Sequence, residues 1–204
     1  MKKIAIFAFL LAVCVAAAPA QESRQDISIS GTGLIEPFIA SSTDVYVHSN
    51  RAFGAMASYR FMLTPTSALE ANYGMTYQHT IHYNTNASYN TNVSNRMQEM
   101  SAAYVRSFVY KNFNPFIEAG PGAFIFLSVR NMGTNGEYAL DVKQQTEVGG
   151  IYGAGIAYEI SPSFDIRIEY RGLVTKVPTF SDSQLTTNKW YNIYNPVAGV
   201  SYHF

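Results

Sequence analysis

The tightest constraint on this chain is a two-residue rhythm that runs longer than a globular strand needs. Leu69, Ala71, Tyr73, Met75 and Tyr77 alternate with Glu70, Asn72, Gly74, Thr76 and Gln78. Phe164, Ile166, Ile168 and Tyr170 alternate with Asp165, Arg167, Glu169 and Arg171. Phe53, Ala55, Ala57, Tyr59 and Phe61 form one further row, and Val148, Gly150, Tyr152, Ala154, Ile156 and Tyr158 another. Neighbouring side chains on a strand point to opposite faces, so each segment carries an apolar, aromatic face and a polar or small one. Ordinary strands run to about five or six residues. These are longer, and the apolar faces must meet either a protein core or lipid.

The rhythm recurs near 27–38, 51–62, 68–83, 97–109, 116–127, 146–160, 164–174 and 191–204. Short links around Pro65, Asn112 and Pro162 alternate with long ones near 39–50, 84–96, 128–145 and 175–190. Proline suits the short links because its ring presets the turn backbone. Charged residues make up 14% of the chain, against roughly 25% in soluble domains. After residue 20 no apolar run is long enough for a spanning helix, which needs about 20 residues. Lipid offers no hydrogen bonds, so a sheet that crosses it must close on itself. The expected fold is all-β: a closed, eight-stranded, antiparallel up-and-down transmembrane barrel with short turns at one end and long loops at the other. The first strand is the weakest, interrupted by Gly31, Gly33 and Pro37. A hairpin at Gly133-Thr134-Asn135-Gly136 would raise the number of strands to ten.

The N-terminus carries a separate message. Lys2 and Lys3 precede an uncharged apolar stretch from Ile4 to Ala18, and Ala18-Pro19-Ala20 has the small-x-small form of a cleavage site. Residues 1–20 are therefore expected to be a cleaved signal peptide, with Ala18 and Ala20 at the cut, and residues 21–204 the barrel domain. Cys14 is the sole cysteine, so the exported chain is expected to have no disulfide, thiol nucleophile or thiolate metal site.

Eight strands leave a lumen just wide enough for side chains to fill. The expected lumen set is Arg60, Glu70, Arg106, Glu118, Glu159, Asp165, Arg167, Glu169 and Arg171, four bases and five acids. Buried charges need partners, so the near balance points to an internal salt-bridge network and a plugged lumen. A narrow pore for ions or small solutes is the alternative. Gly149, Gly153 and Gly155 would make room for bulky lumen neighbours. No catalytic, cofactor or metal residues are assigned. His48, His79, His82 and His203 are scattered, with His79 and His82 on opposite faces, and the adjacent His48 and Ser49 do not share one. Zero net charge and the absence of a basic run give no support for a nucleic-acid partner, and none is expected.

The chain ends Val197-Ala198-Gly199-Val200-Ser201-Tyr202-His203-Phe204. A terminal Phe204 with Tyr202, Val200 and Ala198 at alternate positions resembles the C-terminal signal of bacterial outer-membrane barrels. That resemblance implies recognition by the barrel assembly machinery. Tyr202 and Val200 are expected to face lipid, and His203 and Ser201 the lumen. The glycine-rich segments 116–123 and 152–158, with Arg167-Ile168-Glu169-Tyr170-Arg171-Gly172, resemble the small outer-membrane barrel superfamily. That group includes the outer membrane protein A transmembrane domain, outer membrane protein X and opacity-type adhesins. The resemblance implies a place in the bacterial outer membrane with lipid as surroundings, and its motifs say little of activity; with no catalytic spacing among the histidines and serines, a structural or surface-binding role without enzyme activity is expected. A surface ligand would be met through the long loops, with Tyr46, Tyr89, Tyr138, Phe180 and Trp190 as aromatic anchors. Lipid A modification, as in some barrels of this size, is the less favoured reading.

Overall fold

The structure is a computed structural model that describes residues 25–40, 45–85, 90–133, 143–180 and 186–204. The proposed signal peptide, Ala18 and Ala20 included, lies outside the described residues, as do Tyr89 and Tyr138. The strands are β1 (Gln25–Leu34), β2 (Ile39–Ala40), β3 (Val45–Ser49), β4 (Ala52–Thr64), β5 (Ser67–Thr76), β6 (His79–Thr85), β7 (Asn90–Ser107), β8 (Phe113–Gly133), β9 (Gln145–Ser161), β10 (Phe164–Lys176) and β11 (Trp190–His203). Every pairing between them is antiparallel.

Eight of these strands close a barrel in the order β1-β4-β5-β7-β8-β9-β10-β11, with β11 paired back to β1. The short links at Pro65, Asn112 and Pro162 gather at one end, the turn end. Both ends of the described chain meet there, where the Phe204 amide donates to the Gln25 carbonyl at 3.0 Å. Outside, the wall is a belt of exposed apolar side chains, among them Ile29, Phe53, Leu69, Ile117, Ile168 and Val200. An apolar surface that wraps a whole molecule needs lipid, not water, as its solvent.

The loop end departs from the expected layout. The expected strand 68–83 splits after Thr76. Inward positions are even-numbered through Glu70, Asn72 and Thr76, then odd-numbered at His79, Ile81 and Tyr83. Tyr77 and Gln78 lie between the two strands and shift the phase. β6 leaves β4 and pairs instead with β3 and with the upper half of β7. The loop expected at 84–96 is largely strand, because β7 starts at Asn90. The loop expected at 128–145 loses its first part to β8, which runs to Gly133 beside β7. Thr134, Asn135 and Gly136 lie outside the described residues. β1 ends at Leu34, before Pro37, yet holds Gly31 and Gly33 in its ladder.

The lumen is layered. Charged side chains fill its middle. Above them lies an apolar cluster built from the barrel residues Leu34, Phe124, Phe126, Ile151, Leu173 and Ile193. Val45, Val47, Ile81, Tyr83, Val177 and Phe180 close over it from the loop-end segments. Each such side chain contributes roughly 1.5–3 kcal/mol when fully buried, so the loop-end segments are anchored rather than merely tethered.

Candidate functional site

Alternation on β4, β5, β8 and β10 turns six of the nine expected lumen charges into one buried network. Glu70 on β5 sits between two arginines: Arg60 Nε donates to its Oε2 at 2.7 Å, and Arg167 Nη1 donates to the same oxygen at 2.8 Å. Arg167 Nη2 reaches Glu70 Oε1 at 3.0 Å and Nε donates to Glu169 Oε2 at 2.8 Å. One turn of the ladder higher, Arg171 Nε donates to Glu118 Oε1 at 3.0 Å. The Phe116 ring packs between the guanidinium groups of Arg60 and Arg167, 5.1 and 4.5 Å from its centroid.

A seventh charge, Glu99, completes the network. Arg171 Nη2 donates to Glu99 Oε1 at 2.6 Å, and Ser101 Oγ donates to the same oxygen at 2.7 Å. Glu99 belongs where Arg106 was expected. On β7 the lumen takes the odd positions Met97, Glu99, Ser101, Ala103 and Val105, so Arg106 is on the outer face and the expectation for it is corrected. At the turn end its long side chain bends to Ser67 Oγ, 2.8 Å away, with its charge kept near water. The outward row of Met100, Ala102 and Tyr104 was the signal that sets this phase.

The remaining two acids stand apart. Asp165 pairs with His203, its Oδ2 2.9 Å from Nε2, while Asp26 Oδ2 approaches Nδ1 at 3.7 Å. This second cluster borders a small cavity of about 120 Å³ at the turn end. Glu159, opposite Asp165 in register, is half-exposed there and outside the network. Of the C-terminal residues, Tyr202, Val200 and Ala198 are exposed on the outer wall, whereas Ser201 is buried inside. Phe204 is half-buried and stacks on Tyr202, with ring centroids 6.1 Å apart.

Two glycines explain how so many large groups fit. A Cβ on Gly155 would lie 2.5 Å from the Phe116 ring and 2.6 Å from Glu169 Cβ. One on Gly153 would lie 3.0 Å from Glu118 Oε1 and 3.2 Å from Arg171 Cγ. β9 is thus the bare wall against which the network packs.

At the loop end the histidines separate by face. His79 points inward and is buried, its Nε2 3.6 Å from Glu36 Oε1. Tyr83 beside this pair donates to the Pro178 carbonyl at 2.7 Å. Burial first, and the Glu36 carboxylate second, push the Tyr83 hydroxyl well above the usual phenol range. His48 and His82 are partners on β3 and β6 and face outward, their rings stacked 4.7 Å apart. The neighbouring Ser49 Oγ donates to the Asn50 carbonyl at 3.1 Å. Phe38 stacks on Tyr46 on the same outer surface, 6.1 Å between centroids.

Solved structures share this architecture. The outer membrane protein OprG of Pseudomonas aeruginosa is similar with a TM-score of 0.61 and 11% identity, over 91% of this chain and 98% of that one. Neisserial surface protein A is similar with a TM-score of 0.56 and 15% identity, over 89% of this chain and 98% of that one. Ail, the attachment invasion locus protein of Yersinia pestis, gives a TM-score of 0.50 and 13% identity, over 90% of this chain and all of that one. No curated protein matches the chain in sequence. The family model for the outer membrane protein beta-barrel domain matches residues 5–204. With a closed barrel, a lipid-facing belt and a family match over nearly its whole length, the chain belongs to the outer membrane protein beta-barrel domain family and resides in the bacterial outer membrane.

Proposed function

We propose that this protein is a non-conducting barrel that carries a surface-interaction platform on the outside of the cell. The observation that supports it most is the contrast between its two halves. The lumen is packed with the seven-member charge network and the apolar cluster above it. Meanwhile β3, β6, β7 and β8 continue the wall past the point where β4 and β5 stop pairing, and make a sheet of their own. A conducting pore needs a continuous wet path, and the full burial of Arg171, Phe116, Phe124 and Phe126 supports a closed one. A contact surface needs outward-facing groups on a firm support, and the exposed Phe38 and His48 with the half-buried Tyr46 and His82 provide them.

Some fold relatives carry names that speak of attachment, as Ail does. The same role here rests on the platform, with Phe38 and Tyr46 as its aromatic contact pair. The test has two arms. Purified barrel in planar bilayers is expected to stay silent; stepwise openings at low salt would defeat the plugged lumen. Bacteria displaying the barrel are expected to adhere to matrix-coated surfaces better than cells carrying the Phe38→Ser/Tyr46→Ser variant at equal surface levels. Equal adherence by the two would remove the platform and leave a purely structural barrel.

A further inference from the structure

We propose that His48 and His82 form a surface binding site for a borderline divalent transition ion, of which Cu²⁺ is the tightest-held, on the extracellular sheet. The site rests on the platform described above only for its location, not for any adhesive role.

Two observations carry it. First, the two imidazoles are directly opposed partners on β3 and β6, so the backbone ladder holds both on one face with rings 4.7 Å apart and 17° from parallel. Side chains so opposed have Cβ atoms roughly 4.5–5.5 Å apart, which lets two ring nitrogens converge on one ion after small rotations. Second, Asn92 on β7 is the next partner of His82, and its Oδ1 lies 2.6 Å from His82 Nδ1. A carboxamide oxygen only accepts, so Nδ1 is the donor in this contact and Nε2 is the ring nitrogen left to meet an ion. Metal-bound histidines are held in this way, one ring nitrogen on the ion and the other donating to a fixed oxygen.

The ligand chemistry selects the ion. Imidazole suits Cu²⁺, Ni²⁺ and Zn²⁺, whereas Mg²⁺ and Ca²⁺ want oxygen. Two protein ligands leave the other positions to water, so the site is an open, exchangeable one rather than a closed structural centre. His79, the other histidine on β6, is buried on the opposite face and takes no part.

The experiment uses the whole barrel, folded in detergent and free of any affinity tag, with Cu²⁺ as probe. One equivalent is expected to bind and to give an electron paramagnetic resonance spectrum with coupling to two imidazole nitrogens. His48→Gln and His82→Gln are each expected to lose one nitrogen and at least tenfold in affinity. Asn92→Ala is expected to keep both nitrogens and lose roughly tenfold, as outer-shell partners do. Heat-modifiable gel migration checks that each variant is folded. A measurement without substitution runs beside it: Cu²⁺ should shield His48 and His82, and not His203, from diethyl pyrocarbonate. A two-nitrogen spectrum that survives in the His48→Gln/His82→Gln double variant overturns the site. So does unchanged carbethoxylation of His48 and His82 with copper present.

Discussion

Arg171→Met is the sharpest test of how this barrel is held together. Arg171 is fully buried. Its guanidinium serves both oxygens of Glu99, at 2.6 and 3.2 Å, and Glu118 Oε1 at 3.0 Å, with Glu169 Oε1 3.5 Å away. Methionine fills much of the volume and supplies none of this charge. Glu99 would be left with Ser101, and Glu118 with Arg167 Nη2 at 3.5 Å. Removing one partner of a buried ion pair costs about 3–5 kcal/mol. The denaturant slope for a protein of this size is about 2 kcal/mol per molar urea. The unfolding midpoint in lipid vesicles should therefore fall by about 2 M. Charge counting supplies the control. The network holds Glu70, Glu99, Glu118 and Glu169 against Arg60, Arg167 and Arg171, one acid in excess. Glu99→Gln keeps the shape and leaves three of each, so it should cost about 1 kcal/mol or less, near the net worth of one hydrogen bond. If Arg171→Met unfolds at the same urea concentration as the parent, or Glu99→Gln is the more damaging of the two, the network does not stabilise the lumen as described.

Two further outcomes follow from the packing. Gly155→Val should abolish the heat-modifiable band, since its first carbon already lies 2.5 Å from the Phe116 ring and overpacking typically costs about 1–3 kcal/mol even in kinder sites. Gly150→Ala on the same strand meets nothing nearer than a carbonyl at 3.5 Å and should fold normally; equal damage from both would point to backbone propensity instead. Phe204→Ala separates assembly from stability. Only the ring is lost, because the contact to Gln25 is made by the Phe204 backbone. Refolded in vesicles, the variant should keep its midpoint, while the folded fraction in cells drops; equal losses in both would make the ring structural.

The barrel itself was legible because its physics is local. Alternation at 164–171 assigns each side chain to lipid or lumen one residue at a time, and Asp165, Arg167, Glu169 and Arg171 are all buried while Phe164, Ile166, Ile168 and Tyr170 are exposed. Closure then follows from lipid's lack of hydrogen bonds. On β7 the adjacent Ala102 and Ala103 blur the outward row of Met100 and Tyr104, and the phase slipped by one residue. That slip alone exchanged Glu99 for Arg106.

The loop end was illegible for a different reason. Asparagine is a poor strand former by composition, yet Asn92 and Asn95 lie in β7 because β6 and β8 offer a ladder on both sides. Tyr77 and Gln78 invert the facing rule between two strands that read as one. The rule of polar residues inward also fails above the charge layer. Once Val45, Val47, Val177 and Phe180 fold over the mouth, that part of the lumen holds an apolar cluster, and Leu34, Phe126 and Ile193 belong there as they would in a soluble core. The same inversion puts polar side chains on the outer face of the upper sheet. Among the described residues, the outward row of that sheet carries Tyr46, His48, Thr80, His82 and Asn92, and this polar row is where the proposed contacts would be met.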